Sequence, residues 1–210
     1  MIVIDGASRD STRRLVEAVP ARVRLIAEPD EGIYDAMNKG ISAAQGDHLW
    51  FLNGGDEAII TWSELASVLR NHRDAVVLGD YVLAGKQFDV PRRSRAPRSM
   101  WHALPTSHQA IFYPRARVGA LRYDSRFGIV ADYAFTAEMY SSHVPFVRAA
   151  RAVARFHLDG VSTSQALLIG RQAGVVQRDI LRVPRVKRLA SGVRHRLNRR
   201  LRQILSGRAQ

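Results

Sequence analysis

Residues 23–56, VRLIAEPDEGIYDAMNKGISAAQGDHLWFLNGGD, decide the fold. The alternating apolar run at 23–26 predicts a strand, residues 34–44 predict a helix, and the apolar run at 49–52 predicts a second strand. A third strand, at 2–4, precedes this stretch and leads into another helix. Strands that alternate with helices are typical of a mostly parallel sheet with helices on both faces, so we expect an α/β fold. Polar residues follow each strand, at the edge where ligands bind in open α/β sheets.

The pattern changes after Thr61. Residues 91–107 contain three prolines together with five arginines and histidines, which is typical of a loop long enough to suspect a binding role or mobility. The remaining predicted elements are a helix near 62–72, a strand at 75–78 with a hairpin partner around 81–90, a strand at 110–113, a helix at 132–142 and one or two strands within 144–156.

Length and composition limit the class of protein. A chain of 210 residues favours a single domain with at most a small second lobe. The sequence contains no cysteine, which excludes disulfides and cysteine-ligated zinc. It also contains no apolar run of the roughly 20 residues that cross a bilayer, and its first residues do not resemble a signal peptide. These features favour a cytoplasmic location.

The net charge of +13 is concentrated at the C-terminal end of the chain. Residues 171–210 hold 12 of the 32 Lys and Arg residues and one acid, Asp179. The rest of the chain is therefore nearly neutral, and any affinity for an anionic partner is expected of this basic tail alone.

Five stretches, in order along the chain, resemble one family. They are Val3–Thr12 (VIDGASRDST), Glu28–Gly40 (EPDEGIYDAMNKG), Leu52–Asp56 (LNGGD), His108–Tyr113 (HQAIFY) and Ile129–Tyr133 (IVADY). Together they are similar to the motifs of family 2 glycosyltransferases, in the branch that makes bacterial polysaccharides and mycobacterial-type glycolipids, and the resemblance covers about residues 2–162. It implies a GT-A (Rossmann-like) fold and the inverting transfer of a sugar from a nucleotide-sugar donor to a glycolipid or polysaccharide-precursor hydroxyl.

The chain departs from this family in two respects. The family has roughly 25–35 residues before the first of these motifs, about one strand-helix unit. The usual first strand is thus expected to be missing, through a misplaced start codon or a true truncation. In addition, Asn53 and Gly55 occupy positions where aspartates are commoner, which leaves Asp56 as the single carboxylate of that turn.

The resemblance implies a set of donor-binding residues, each with a plainer structural alternative. Asp5 would accept a hydrogen bond from the nucleobase, or it would only close its own turn. Asp10 would contact the ligand or cap a helix, and His108 would contact the diphosphate or acceptor, or be structural. Asn38 and Lys39 share a helical face with Asp35 that would hold a phosphate or sugar hydroxyl, or be merely solvated. The candidate nucleotide-sugar ligands are Asp5, Asp10, Asp30, Asn38, Lys39, Asn53 and His108.

Two further carboxylates have implied chemical roles. Asp56 follows two glycines, which let the backbone approach a phosphate, and one carboxylate with phosphate oxygens is a common arrangement for Mg²⁺, so Mg²⁺ or Mn²⁺ is the expected cofactor. Asp132 follows an apolar segment that would raise its pKa, and it is the expected general base. The plainer alternatives are a loop aspartate and a helix cap.

The basic tail shows its own periodicity. Leu189, Val193, Leu197, Leu201 and Leu205 recur every four residues among many arginines, so residues 163–210 are expected to form a basic helical extension of the glycosyltransferase domain at 1–162. Such a helix would lie on an anionic membrane surface, bringing the enzyme to a lipid-linked or glycan acceptor at the inner face of the plasma membrane. Alternatively, the stripe would pack on the core while the arginines are solvated.

Two other functions compete with this interpretation. A truncated, inactive paralogue would carry the same motifs without turning over a donor. An arginine-rich nucleic-acid-binding protein would need only the tail, but no recognised binding module accompanies the charge.

Overall fold

The structure is a computed structural model that describes residues 1–20, 22–85, 88–157 and 166–195. The strands in this part of the chain are β1 Ile2–Asp5, β2 Arg24–Ala27, β3 His48–Trp50, β4 Glu57–Ala58, β5 Val76–Ala84, β6 Val90–Arg92, β7 Ile111–Pro114 and β8 Phe146–His157. The helices are α1 Thr12–Glu17, α2 Ile33–Ala43, α3 Trp62–Arg70, α4 Arg115–Val118, α5 Ala131–Ser141, α6 Ala166–Asp179 and α7, residues 185–195. Short 3-10 turns span Pro97–Trp101, His108–Ala110 and Ser125–Val130.

The strands form two sheets rather than one. β1 and β2 pair in parallel, and the larger sheet has the order β3-β7-β5-β8-β4, with β6 paired to β5. The α/β class is confirmed, while the larger sheet is mixed: β5 and β8 are parallel, and its other pairs are antiparallel. Among the described residues, no strand pairing joins the smaller sheet to the larger one. Helix α2 contacts both sheets, since Gly40 approaches Ile4 of β1 while Ile41 joins the core around Leu49 of β3.

Helices cover both faces of the larger sheet, as predicted. Side chains alternate along β5, so that Val76 and Leu78 face one side and Val77 faces the other. The first side is covered by Met37 and Ile41 of α2 and by Phe135 and Met139 of α5. The second side is covered by Leu65 of α3, which belongs to the same buried cluster as Val77, Phe112 and Val153.

The predicted hairpin at 75–90 is wrong in one respect. β5 continues through Gly79 and Asp80, which form an irregularity in its pairing with β8, and its hairpin partner is β6. At this irregularity the backbone lies very close to β8: a Cβ atom on Gly79 would be 2.6 Å from Cγ2 of Val153. The glycine therefore permits a close approach within a strand and does not mark a turn.

Residues 91–107 are tied to the sheet by side-chain hydrogen bonds. Asp80 accepts bonds from the backbone N–H of Ser94 (2.7 Å) and from its hydroxyl (2.9 Å). The Thr106 hydroxyl donates to the carbonyl oxygen of Gly79 at 2.8 Å. Both ends of the segment are thus fixed to the middle of β5.

The C-terminal helices pack on the body of the protein. In α6, Ala173 and Val176 are buried against the first turns of α5. In α7, Ser191 is buried and bonds with Nδ1 of His102 at 2.7 Å, while Val186, Leu189 and Val193 are exposed. The inward face of α7 is therefore polar. Leu197, Leu201, Leu205 and the boundary predicted between residues 162 and 163 lie outside the described residues. Within the described part of the chain, no helix is long and apolar enough to cross a membrane.

Gly79→Ala should lower the free energy of unfolding by about 1–3 kcal/mol, because the added methyl group overpacks the contact with Val153. Gly174→Ala is the control, since nothing lies within 4 Å of its Cβ position and alanine favours a helix interior. It should raise the free energy by about 0.5–1 kcal/mol. Urea unfolding measures both values, and equal effects of the two substitutions would contradict the close β5–β8 contact.

Candidate active site

A large open cleft lies at the carboxyl ends of β3, β5 and β8, which all run in the same direction. Its volume is about 1350 Å³, enough for a molecule of nucleotide-sugar size. The walls come from the turn after β3, from residues 104–109 and from the segment that leads into α5. The cleft therefore lies at the sheet edge expected from the sequence.

Asp132 lines this cleft at the first turn of α5. One of its carboxylate oxygens accepts a bond from the backbone N–H of Tyr133 at 2.7 Å. Burial raises the pKa of Asp132 to about 6, and backbone hydrogen bonds oppose that rise only in part. A carboxylate with this pKa is ionised at neutral pH and is a stronger base than an exposed aspartate.

Helix α6 supports the segment that precedes Asp132. Gly128 has φ 52°, and a Cβ atom at that position would collide with the side-chain amide of Gln172. The same amide accepts a hydrogen bond from the backbone N–H of Ile129 at 3.2 Å. The carbonyl oxygen of Ile129 in turn accepts from the Tyr34 hydroxyl at 3.0 Å. The entry to α5 is therefore held from both α6 and α2.

His108 forms part of the cleft wall as a buried side chain. Its Nε2 lies 2.7 Å from the Tyr123 hydroxyl, and its ring stacks on Phe51 at 5.5 Å between centroids. Burial lowers the pKa of His108 to about 4, so the imidazole is neutral at physiological pH. It can form hydrogen bonds in the cleft but does not add a positive charge there.

The turn after β3 presents Asn53 and Asp56 to the cleft. Oδ2 of Asp56 accepts from the backbone N–H of Asn53 at 2.9 Å, and Gly55 adopts φ 90° to close the turn. Among the described residues, no group of three or more His, Cys, Asp or Glu side chains could hold a metal ion. This turn offers the second Asp56 oxygen and the Asn53 amide oxygen. That set is compatible with an ion that takes its other ligands from phosphate and water.

Asn38 also lines the cleft, but its amide group is engaged within the protein. Its Nδ2 donates to the carbonyl oxygen of Tyr123 at 2.9 Å, and its Oδ1 accepts from the backbone N–H of Tyr123 at 2.8 Å. Asn38 thus fixes the segment that carries Tyr123 against α2. Its contact with a donor stays a prediction.

Four of the predicted residues are not among those that line the cleft. Asp5 accepts hydrogen bonds from Ser8, Asp10 from the backbone N–H of Thr12, and Asp30 from that of Gly32. Lys39 forms ion pairs with Glu28 and Asp35, each at 3.3 Å. Asp5 lies on β1, in the smaller sheet. Their roles in donor binding remain predictions.

Arginines form a part of the cleft that the sequence reasoning missed. Arg92, Arg93 and Arg95 all line it, beside Tyr81 and Phe156. The signal was present as a run of basic residues in the segment suspected of a binding role. It could not be placed from sequence because the pairing of β6 with β5 brings the run to the cleft.

Comparisons with known proteins agree with this geometry. The family model described as glycosyl transferase family 2 matches residues 1–141. The chain is 30% identical over 157 residues to a PGL/p-HBAD biosynthesis glycosyltransferase of Mycobacterium bovis and of Mycobacterium tuberculosis, covering 68% of this chain and 58% of the relative. The chain therefore spans little more than half the length of these curated relatives.

Two solved structures share the fold. The structure of Staphylococcus aureus TarS in complex with UDP-GlcNAc superposes with a TM-score of 0.62 at 17% identity, covering 83% of this chain and 56% of that one. The mannosyltransferase PcManGT from Pyrobaculum calidifontis, in complex with GDP-Man and Mn²⁺, superposes with a TM-score of 0.61 at 14% identity. It covers 88% of this chain and 55% of that one.

Asn38→Ala should lower the free energy of unfolding by about 1–3 kcal/mol, since both partners on Tyr123 lose a hydrogen bond in a partly buried site. Asn38→Asp keeps the bond accepted from Tyr123 N–H and should cost less than the alanine substitution. Ser42→Ala on the exposed side of the same helix is the control. Chemical unfolding of the four proteins checks the order, and an unchanged Asn38→Ala protein would contradict the clamp.

Proposed function

The chain belongs to glycosyl transferase family 2, and we propose that it transfers a sugar from a nucleotide-sugar donor to a hydroxyl group by a single inverting displacement. The observation that carries this proposal is Asp132, a carboxylate with a raised pKa in a cleft of suitable size. The turn Asn53–Asp56, which follows β3, lines the same cleft and is the proposed binding site of the donor diphosphate.

In the proposed reaction, Asp132 accepts the proton of the acceptor hydroxyl. The oxygen attacks the anomeric carbon of the donor sugar with the electron pair released from the O–H bond. The bond between that carbon and the diphosphate oxygen breaks, and its electrons leave with the nucleoside diphosphate. The proton ends on the carboxylate of Asp132, and the configuration at the anomeric carbon is inverted.

We further propose that Asp56 holds Mg²⁺ or Mn²⁺ together with diphosphate oxygens, with Asn53 as a second oxygen ligand. Such an ion would offset the negative charge that develops on the departing diphosphate. The exposed glycines at 54 and 55 leave room for the phosphates to approach the backbone. The Mn²⁺ bound in PcManGT, a protein of the same fold, supports this choice of cofactor.

The donor and acceptor are proposed by class only. UDP-GlcNAc and GDP-Man are bound in the two proteins of similar fold, which supports a nucleoside-diphosphate sugar. The relatives reported above are named for PGL/p-HBAD biosynthesis, and the motifs of this chain resemble those of the branch that makes glycolipids and polysaccharides, which supports a lipid-linked or glycan acceptor. An inactive paralogue would retain the cleft but release no nucleoside diphosphate from any donor.

The rate of donor turnover should depend on the ionisation of Asp132. Burial raises its pKa to about 6, so the active carboxylate form is lost as the pH falls through 6. Below that value, kcat should drop about tenfold per pH unit. Asp132→Asn should reduce turnover by about 10²–10⁴-fold and remove this dependence. Asp74→Asn, an exposed aspartate paired with Arg117, is the control.

These rates can be measured as release of UDP or GDP from a panel of nucleotide sugars. Asp132 would be ruled out as the base if wild-type turnover did not fall as the pH drops through 6. It would also be ruled out if the Asp132→Asn protein were as active as the Asp74→Asn protein. No turnover with any donor at any pH would instead favour the inactive paralogue.

We also propose that α7 attaches the protein to an anionic membrane surface. Val186, Leu189 and Val193 form one exposed stripe of α7, with exposures of 78%, 63% and 51%. Arg185, Lys187 and Arg194 are exposed beside this stripe. Each basic residue near an anionic leaflet contributes about 1 kcal/mol, and the apolar stripe can enter the interface. The exposed stripe argues against the alternative in which it packs on the core.

Replacing Val186, Leu189 and Val193 by serine should reduce binding to vesicles that contain phosphatidylserine by about tenfold or more, because the insertable apolar area is lost. Leu15→Ser/Val19→Ser, which removes one exposed apolar residue of α1 and one that lies two residues after the helix, should leave binding unchanged. Vesicle flotation measures both. Equal binding of the two variants would contradict the proposal. So would equal binding of the wild-type protein to vesicles of phosphatidylcholine alone, or binding to nucleic acid in place of vesicles at physiological salt.

A further inference from the structure

Three arginines line the active-site cleft from a single segment of the chain. Arg92 ends β6, and Arg93 and Arg95 are the first and third residues after it. All three are exposed to solvent. Because Ser94 is held by Asp80 and the Arg95 N–H donates to the carbonyl oxygen of Pro105 at 2.7 Å, the backbone that carries these guanidinium groups is fixed.

The positive charge of this arginine segment is not neutralised by ion pairs. Asp80, which precedes the cross-strand partner of Arg92, accepts hydrogen bonds from Ser94, and Asp89 and Glu57 both bind Arg155, at 2.9 Å and 2.7 Å. Among the described residues, no carboxylate lies within ion-pair distance of Arg92, Arg93 or Arg95. Desolvation and the nearby charge of Arg194 lower the pKa of Arg95, so the uncompensated charge extends to α7.

The floor beside these arginines is apolar and aromatic. Tyr81 of β5 and Phe156 of β8 stack at 5.4 Å between ring centroids, with an interplanar angle of 28°. Leu83 lies directly opposite Phe156 in the pairing of the two strands. All three side chains line the cleft. A flat apolar group could therefore rest on this floor with an anionic group at the arginines.

The arginine segment is well separated from the turn assigned to the donor diphosphate. Ala58, Ala154, Tyr81 and Arg92 form one row across β4, β8, β5 and β6. Three strand spacings place the backbone of Arg92 about 14 Å from that of Ala58 on β4, which begins directly after Asp56. Strands β8 and β5 lie between the two positions, so the arginines and the Asp56 turn line different parts of the cleft.

From these observations we propose that Arg92, Arg93 and Arg95, above the floor of Tyr81, Leu83 and Phe156, form an acceptor subsite for a phosphate ester with an adjoining apolar or aromatic group. Arginine binds phosphate oxygens in bidentate fashion, which fixes orientation as well as charge. This inference rests on the proposed function, because the subsite is an acceptor site only if the donor diphosphate binds at the Asn53–Asp56 turn. The binding site itself is independent of turnover.

Phenyl phosphate is a suitable probe, and benzyl alcohol is its uncharged counterpart. Titration calorimetry should show that the wild-type protein binds phenyl phosphate and binds benzyl alcohol at least about tenfold more weakly, because only the ester engages the arginines. Arg92→Gln/Arg93→Gln should weaken phenyl phosphate binding by about tenfold or more. Arg98→Gln, an exposed arginine of the same segment that does not line the cleft, is the matched control.

The same titration at saturating UDP, or GDP where UDP does not bind, identifies the subsite. Simultaneous binding of phenyl phosphate and the nucleoside diphosphate supports an acceptor site, whereas competition between them assigns the arginines to the donor and overturns the proposal. An equal loss of phenyl phosphate affinity in the Arg98→Gln protein also overturns the proposal, as does equal affinity of the wild-type protein for phenyl phosphate and benzyl alcohol. If neither nucleotide binds but phenyl phosphate does, the proposed function fails while the anion site stands.

Discussion

The carboxylate of Asp132 is partly removed from water at the first turn of a helix, and the arrangement of the cleft depends on that burial. Desolvation raises its proton affinity, while the backbone N–H groups at the helix start keep the charged form accessible. The charge of Asp132 also affects neighbouring tyrosines. Burial and this charge both raise the pKa of Tyr34 and Tyr123. These phenols therefore stay neutral hydrogen-bonding groups and do not compete as bases.

This burial requires support from distant parts of the chain. Tyr34 and Asn38 reach across from α2 to Ile129 and Tyr123, and Gln172 reaches from α6 to the segment before Asp132. A hydrogen bond to each loop backbone leaves few alternative positions for the carboxylate. For the role proposed for Asp132, the orientation of the carboxylate matters as well as its pKa.

Local patterns predicted the elements of the fold well. The spacing of apolar residues located α2, α3 and α5 within two residues of their ends. The polar turn after β3 predicted Asn53 and Asp56 at the cleft, and the family resemblance predicted Asp132, which lines the same cleft. The directions and pairings of the strands were harder to predict from the sequence. Glycine is typical of turns, for example, but Gly79 lies inside β5. The arginine segment and the amide bonds of Asn38 depend on contacts between residues far apart in sequence. No local periodicity encodes such contacts.

Helix α7 is attached to the protein by its polar side. Gln177 donates to the carbonyl oxygen of His102 and to the hydroxyl of Ser191, so three residues hold the helix with little apolar burial. Its outward apolar residues consequently contribute little to folding. Positions 186, 189 and 193 can therefore carry polar or apolar side chains with little change in the stability of the fold, so the outer surface of this helix is set independently of the core.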